Sequence, residues 1–185
     1  MTMQRLKGLT SGSLPTFIDI RDNFASPEIA EDNLIVQAAQ LGKRCVVSHC
    51  PFLWEYVAMF PHKARFWYLK WLRRLVFLGD DTWMNLFPTS FNVSHPFPSF
   101  NVKDLHTVDD GVLQHLLPAV VNETLGQWDI MVAHFLGVDH VGHRFGPDHV
   151  AMKWKLRQMD DVIAALHAQI ENDTLVAVLG DHGAS

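Results

Sequence analysis

The sequence predicts an α/β fold built on a mostly parallel central sheet flanked by helices, and two observations carry that expectation. Residues 75–78, 128–135 and 174–179 are short apolar runs of buried-strand type, each ending in glycine or in Asp- and His-bearing segments. Between the runs lie stretches with helical character, residues 109–117 and 148–171. Strands separated by helices must run in the same direction, because each helix carries the chain back to the edge where the next strand starts.

The elements follow in chain order. Met1, Thr2, Met3, Gln4 and Arg5 open a polar, helix-like stretch, which does not have the apolar centre of a signal peptide. Gly12 to Pro15 is turn material, and residues 16–18 are a short apolar piece. Residues 31–42 form an amphipathic helix closed by Gly42. A strand is expected directly after it. Instead residues 45–74 interpose both cysteines, three of the six tryptophans (Trp54, Trp67, Trp71) and a charge of +4, and the remainder of the chain carries -9. This composition reads as a foreign insertion, expected outside the core with its tryptophans more exposed than Trp128. Beyond residues 75–78, Pro88 and the stretch from Pro96 to Ser99 mark a loop. Along 148–171, Met152, Leu156, Met159, Ile163, Leu166 and Ile170 recur at spacings of three or four and predict one apolar face.

Composition narrows the function. The 185 residues carry a net charge of -5, and the basic residues form no block, so nothing recommends a nucleic-acid partner. Two cysteines, Cys45 and Cys50, are too few to staple a fold. Asn92, Asn122 and Asn172 each begin an Asn-x-Ser/Thr triplet and so permit a lumenal address. No apolar run reaches the roughly 18 residues that a membrane span needs.

Histidine supplies the first chemical signal, with His134, His140, His143 and His149 falling within sixteen residues. In an open parallel sheet the ligand site lies outside the carboxyl ends of the strands. Asp80 and Asp81 follow one apolar run, Asp139 and His143 the next, and Asp181 and His182 the last. Carboxylate plus imidazole is a donor mixture that Zn²⁺ accepts. A spacing of four lets Asp139 and His143 converge in a helix or in a tight loop. Taken alone, those residues suit a solvated polar loop equally well, and Asp181-His182-Gly183 is also a good turn.

Together the motifs are more specific. The segment from His134 to His143, then Gly146-Pro147, then Glu171 to Leu175, then Gly180 to Gly183, closely resembles the glycosylphosphatidylinositol (GPI) ethanolamine phosphate transferases of the alkaline phosphatase superfamily. The resemblance extends to residues 3–19, 31–35, 77–83 and 98–102, nearly everything outside 45–74. It implies that residues 1–185 are part of one lumenal phosphotransferase domain with an alkaline-phosphatase-like sheet. It implies transfer of phosphoethanolamine from phosphatidylethanolamine to a mannose of the GPI precursor, the third mannose by closest pattern. By the same resemblance Asp139 and His143 bind one Zn²⁺, and Asp181 and His182 bind the other. Both pairs are expected at one edge of the sheet, with metals roughly 4 Å apart. His140 matches a position without an assigned role, and Asp80 and Asp81 match a family motif that can equally serve to shape the turn.

The resemblance also places a metal-binding Asp on a strand well ahead of the first residue, the nucleophilic Thr at that residue or just before it, and a further His after Ser185. A transmembrane region outside these residues and a small membrane partner subunit would complete the enzyme at the lumenal face of the endoplasmic reticulum membrane. Alternatives are a metal-dependent phosphodiesterase or nucleotide pyrophosphatase of the same superfamily, and a non-catalytic truncated product.

Overall fold

The computed structural model describes residues 2–13, 28–29, 31–41, 48–50, 74–122, 128–170 and 174–180. The expectations for residues 14–18, for the tryptophans of the 45–74 stretch, and for Asp181 and His182 lie outside the described residues.

Two helices come first. α1 (Thr2–Ser11) packs against α2 (Leu34–Leu41), and Leu6 and Ile35 are fully buried. Asn33 starts α2 by accepting the N–H of Val36 on its Oδ1 at 2.8 Å, an N-cap that satisfies one of the orphan donors of the first turn. A three-residue strand, β1 (Ser48–Cys50), follows.

The described core is a three-stranded parallel sheet in the order β3-β2-β4, made of β2 (Leu75–Asp80), β3 (Val93–Phe97) and β4 (Ile130–Ala133). β2 lies in the middle and every one of its residues is buried, which is why it reads as an unbroken apolar run. A short helix, α3 (Thr82–Leu86), joins β2 to β3. α4 (Thr107–Asn122) then carries the chain across β2 to β4. Trp83, Phe77 and Phe87 are among the largest fully buried side chains, with Phe77 and Trp83 stacked at 5.3 Å between ring centroids. Burying each such ring contributes about 1.5–3 kcal/mol.

α5 (Gly137–Phe145) follows β4, then α6 (Val150–Gln169) and β5 (Val178–Gly180). β5 pairs in parallel with β1, with Gly180 opposite Cys50, and β1 touches both β4 and α5. The parallel α/β class expected from the alternation is therefore the one observed.

Four details depart from expectation. The stretch around Pro96 is not a loop but the end of β3, with Pro96 opposite Gly79. Among the described residues β3 has β2 as its only sheet neighbour, and an edge strand tolerates a residue without an N–H. The last strand is three residues long, with Leu179 exposed, because 174–177 do not join a ladder. The inward face of α6 runs through Met152, Lys155, Met159, Val162 and Leu166, while Leu156 is exposed. A lysine thus occupies a core position that the apolar periodicity assigned to its neighbour. α4 also continues through Pro118 to Asn122, past the expected end at residue 117.

Candidate active site

The carboxyl ends of β2 and β4 lie side by side, and the polar residues beyond them form the candidate site. At Gly79 the two strands approach so closely that a Cβ there would lie 2.5 Å from the carbonyl oxygen of His134, and the backbone takes φ 146°, a region costly for any side-chain-bearing residue. Asp80 follows and is buried. Its Oδ1 accepts the N–H of Thr82 at 2.6 Å and so shapes the turn into α3. Asp81 accepts the hydroxyl of Ser99 at 2.6 Å and its N–H donates to the carbonyl of Phe97 at 3.0 Å, fastening β2 to the end of β3. Both aspartates therefore have turn-forming partners.

Asp80 Oδ2 also lies 3.4 Å from Nδ1 of the fully buried His134. The same Nδ1 receives the indole N–H of Trp83 at 3.1 Å. An indole N–H can only donate, so Nδ1 presents its lone pair and the imidazole proton sits on Nε2. The Asp80 contact is then not an ion pair. Burial, reinforced by the neighbouring Asp81, pushes the Asp80 carboxyl above its usual range, against the Thr82 and Ser99 hydrogen bonds that pull it down.

α5 carries the first of the two expected ligand pairs. Asp139 sits in the first turn and His143 one turn later on the same face, with Nε2 of His143 3.1 Å from Oδ1 of Asp139. The Asp139 side chain is 10% exposed and that of His143 65%, so the pair opens from a buried root to solvent. Two donors on one Zn²⁺ at bonds of about 2.0–2.1 Å lie about 3–3.4 Å apart across a near-tetrahedral angle. The observed separation and the donor chemistry both fit half of a zinc coordination set.

The other histidines have different work. His140 is buried, and its Nδ1 donates to the carbonyl of Asp104 at 2.6 Å, since a carbonyl can only accept. One turn on, Arg144 donates to the carbonyl of Lys103 at 3.0 Å, so α5 is stitched to the 101–106 loop. His149 caps α6 by accepting the N–H of Ala151 at 3.2 Å and stacks on Phe145. Of the four clustered histidines, His143 alone is paired with Asp139. Among the described residues no group of three or more His, Cys, Asp or Glu side chains is poised around one ion. Asp181 and His182 lie outside the described residues, directly after Gly180 at the end of β5.

Asp109 and Lys155 are buried next to this site and did not stand out in the sequence. Their Oδ2 and Nζ atoms are 2.9 Å apart.

A parallel sheet with a carboxylate-imidazole pair just past a strand end puts the polar residues where open α/β sheets take up their ligands. The signature of the type I phosphodiesterase / nucleotide pyrophosphatase family matches residues 32–185, and the chain belongs to that family. It is similar to the protein named GPI ethanolamine phosphate transferase 3, catalytic subunit, of Homo sapiens, 50% identical over 182 residues that cover 98% of this chain and 14% of the relative. GPI ethanolamine phosphate transferase 3 of Schizosaccharomyces pombe is 43% identical, with 98% and 16% covered. The human GPI ethanolamine phosphate transferase 2, catalytic subunit, is 34% identical, with 100% and 16% covered. The chain thus spans about one seventh of the length of these relatives. No solved structure matches.

Proposed function

We propose that this chain is part of a zinc-dependent ethanolamine phosphate transferase that modifies the third mannose of the GPI precursor at the lumenal face of the endoplasmic reticulum membrane. The observation that carries the proposal is the 50% identity, over 98% of the chain, to a transferase so named. The Asp139-His143 pair supports it chemically. The activity proposed is that of the whole protein, with phosphatidylethanolamine as donor. The words "catalytic subunit" in the relative's name fit the further proposal of a small membrane partner subunit. Among the described residues no helix is long and apolar enough to cross a membrane, so the membrane attachment is proposed for the protein outside them.

Asp139 and His143 would hold one zinc, and Asp181 and His182 the other. When bound, such ions supply positive charge to the phosphoryl oxygens and lower the pKa of a bound hydroxyl. The residues of this chain contribute placement. The first turn of α5 holds Asp139 where the helix dipole favours negative charge. One turn spans the distance to His143, and the His140 and Arg144 bonds to the 101–106 loop keep the α5 axis fixed. The nucleophilic Thr is proposed to lie ahead of the described residues.

The family signature also covers hydrolytic phosphodiesterases. The two readings differ in the acceptor, a mannose hydroxyl or water. The test measures phosphoethanolamine released from labelled phosphatidylethanolamine by the full-length protein, with and without a mannose-bearing GPI acceptor. Transfer to the acceptor that is lost in Asp139→Ala and Asp181→Ala is expected. Release to water at the same rate with or without acceptor would support the hydrolase, and full transfer by both variants would remove the metal assignment.

A further inference from the structure

We infer that Asp109 and Lys155 are positioning residues that set the entry of α5 and thereby the placement of Asp139; the inference rests on the reading of Asp139 and His143 as metal donors. α5 lacks a cap of its own, because Leu136 at its N-cap offers no side-chain acceptor. The cap comes instead from α4. Asp109 Oδ1 accepts the N–H of Leu136 at 2.8 Å and of Gly137 at 2.9 Å, satisfying two donors that the helix start leaves without intrahelical partners. Asp109 Oδ2 accepts from Lys155 Nζ of α6 at 2.9 Å, and the same Nζ donates to Gln158 Oε1 at 2.8 Å. One carboxylate therefore ties α4 and α6 to the first turn of α5, two residues ahead of Asp139.

The local fit is tight. A Cβ on Gly137 would run into the Asp109 carboxylate and would stand 2.7 Å from Lys155 Cε, so any side chain there would displace the pair. Asp109 is 1% exposed and Lys155 4%. A buried ion pair is a weak source of stability compared with apolar residues of the same volume, because desolvation offsets most of the attraction. It does fix geometry, and partners behind a ligand typically change metal affinity about 10–100-fold when lost.

Two double variants of this chain separate the cap from the charge pair. Asp109→Asn with Lys155→Met keeps a neutral oxygen for the two backbone N–H groups, and Asp109→Ala with Lys155→Met removes it. Zinc affinity is measured by competition with a chelating dye below the melting temperature of each variant, and amide exchange is followed from Leu136 to Val141. The Asn/Met protein is expected to stay within about threefold of the unmodified chain, and the Ala/Met protein to bind zinc about tenfold more weakly or worse. Exchange across the first turn of α5 is expected to accelerate only in Ala/Met. Equal affinity and equal exchange in the two double variants, whatever their melting temperatures, would overturn the inference. Asp139→Ala is the control for the reading beneath it: unchanged zinc binding in that variant would remove the ligand assignment, while the exchange comparison, made without metal, would still decide the positioning role.

Discussion

Replacing Gly79 by alanine would insert a methyl group between β2 and β4 where the structure leaves no room for one. The added Cβ would lie 2.5 Å from the carbonyl oxygen of His134, 2.7 Å from its Cβ and 3.1 Å from its Cα. Favourable carbon contacts are about 3.5–4.0 Å, so the strands would have to part by most of an ångström at their carboxyl ends. Overpacking of that kind costs about 1–3 kcal/mol. Holding alanine near φ 146° adds a strain of about 1–3 kcal/mol. The sum, about 2–6 kcal/mol, is a large share of the 5–15 kcal/mol that ordinarily separates folded from unfolded domains. Urea unfolding followed by tryptophan fluorescence reads it directly. With a slope of about 2 kcal/mol per M, the midpoint should fall by about 1–3 M. A shift under about 0.3 M would refute the close-approach argument and the strand spacing that places Asp80 beside His134.

Two further outcomes follow from the carboxylates. Asp80 has a carboxyl raised above 3.8 by burial, so the folded state holds its proton more tightly than the unfolded chain does, and stability falls as pH rises from about 4 through the raised value. Asp80→Asn keeps an acceptor for the Thr82 N–H and should flatten that decline in melting temperature; a decline of unchanged steepness would remove the assignment. Asp104 has its carboxyl lowered from 3.8 to about 2 by hydrogen bonds from Thr107 and His106, so its contribution is present above about pH 4 and lost as pH falls toward 2. Asp104→Ala should cost about 1 kcal/mol at pH 7 through the lost start of α4, and the difference from the unmodified chain should shrink at pH 2. A deficit that is the same at both pH values would place the effect elsewhere.

What could be read from the sequence follows the range over which each cause acts. The β2 and β4 runs and the α4 and α6 periods are local patterns, and they are present close to where they were expected. The pairing of Asp139 with His143 is also local, one helical turn, but the motif alone suits a solvated polar loop equally well and leaves open whether the backbone is helix or loop. β3 was hidden because Pro96 looks like a loop residue until its edge position is known. The face of α6 was misplaced by one position because Lys155 is buried only by virtue of Asp109, which lies 46 residues away. The cap of α5 was equally out of reach, since Asp109 precedes Leu136 by 27 residues and looks like a first-turn acid of its own helix. In the last two misses a polar partner distant along the chain overrode the local pattern, and in β3 the position in the sheet did so.

The central claim is that the Asp139-His143 pair on α5 is a divalent-metal half-site. Its most direct test is zinc titration of this chain, unmodified and as Asp139→Ala, His143→Ala and the two together, with circular dichroism at each step. The pair contributes little to the apolar core, so the folded signal should persist in all four proteins. Either single change is expected to weaken zinc binding at least tenfold, and the double change to add little beyond it, because one lost ligand already opens the set. Zinc binding that is unchanged across all four folded proteins would contradict the claim.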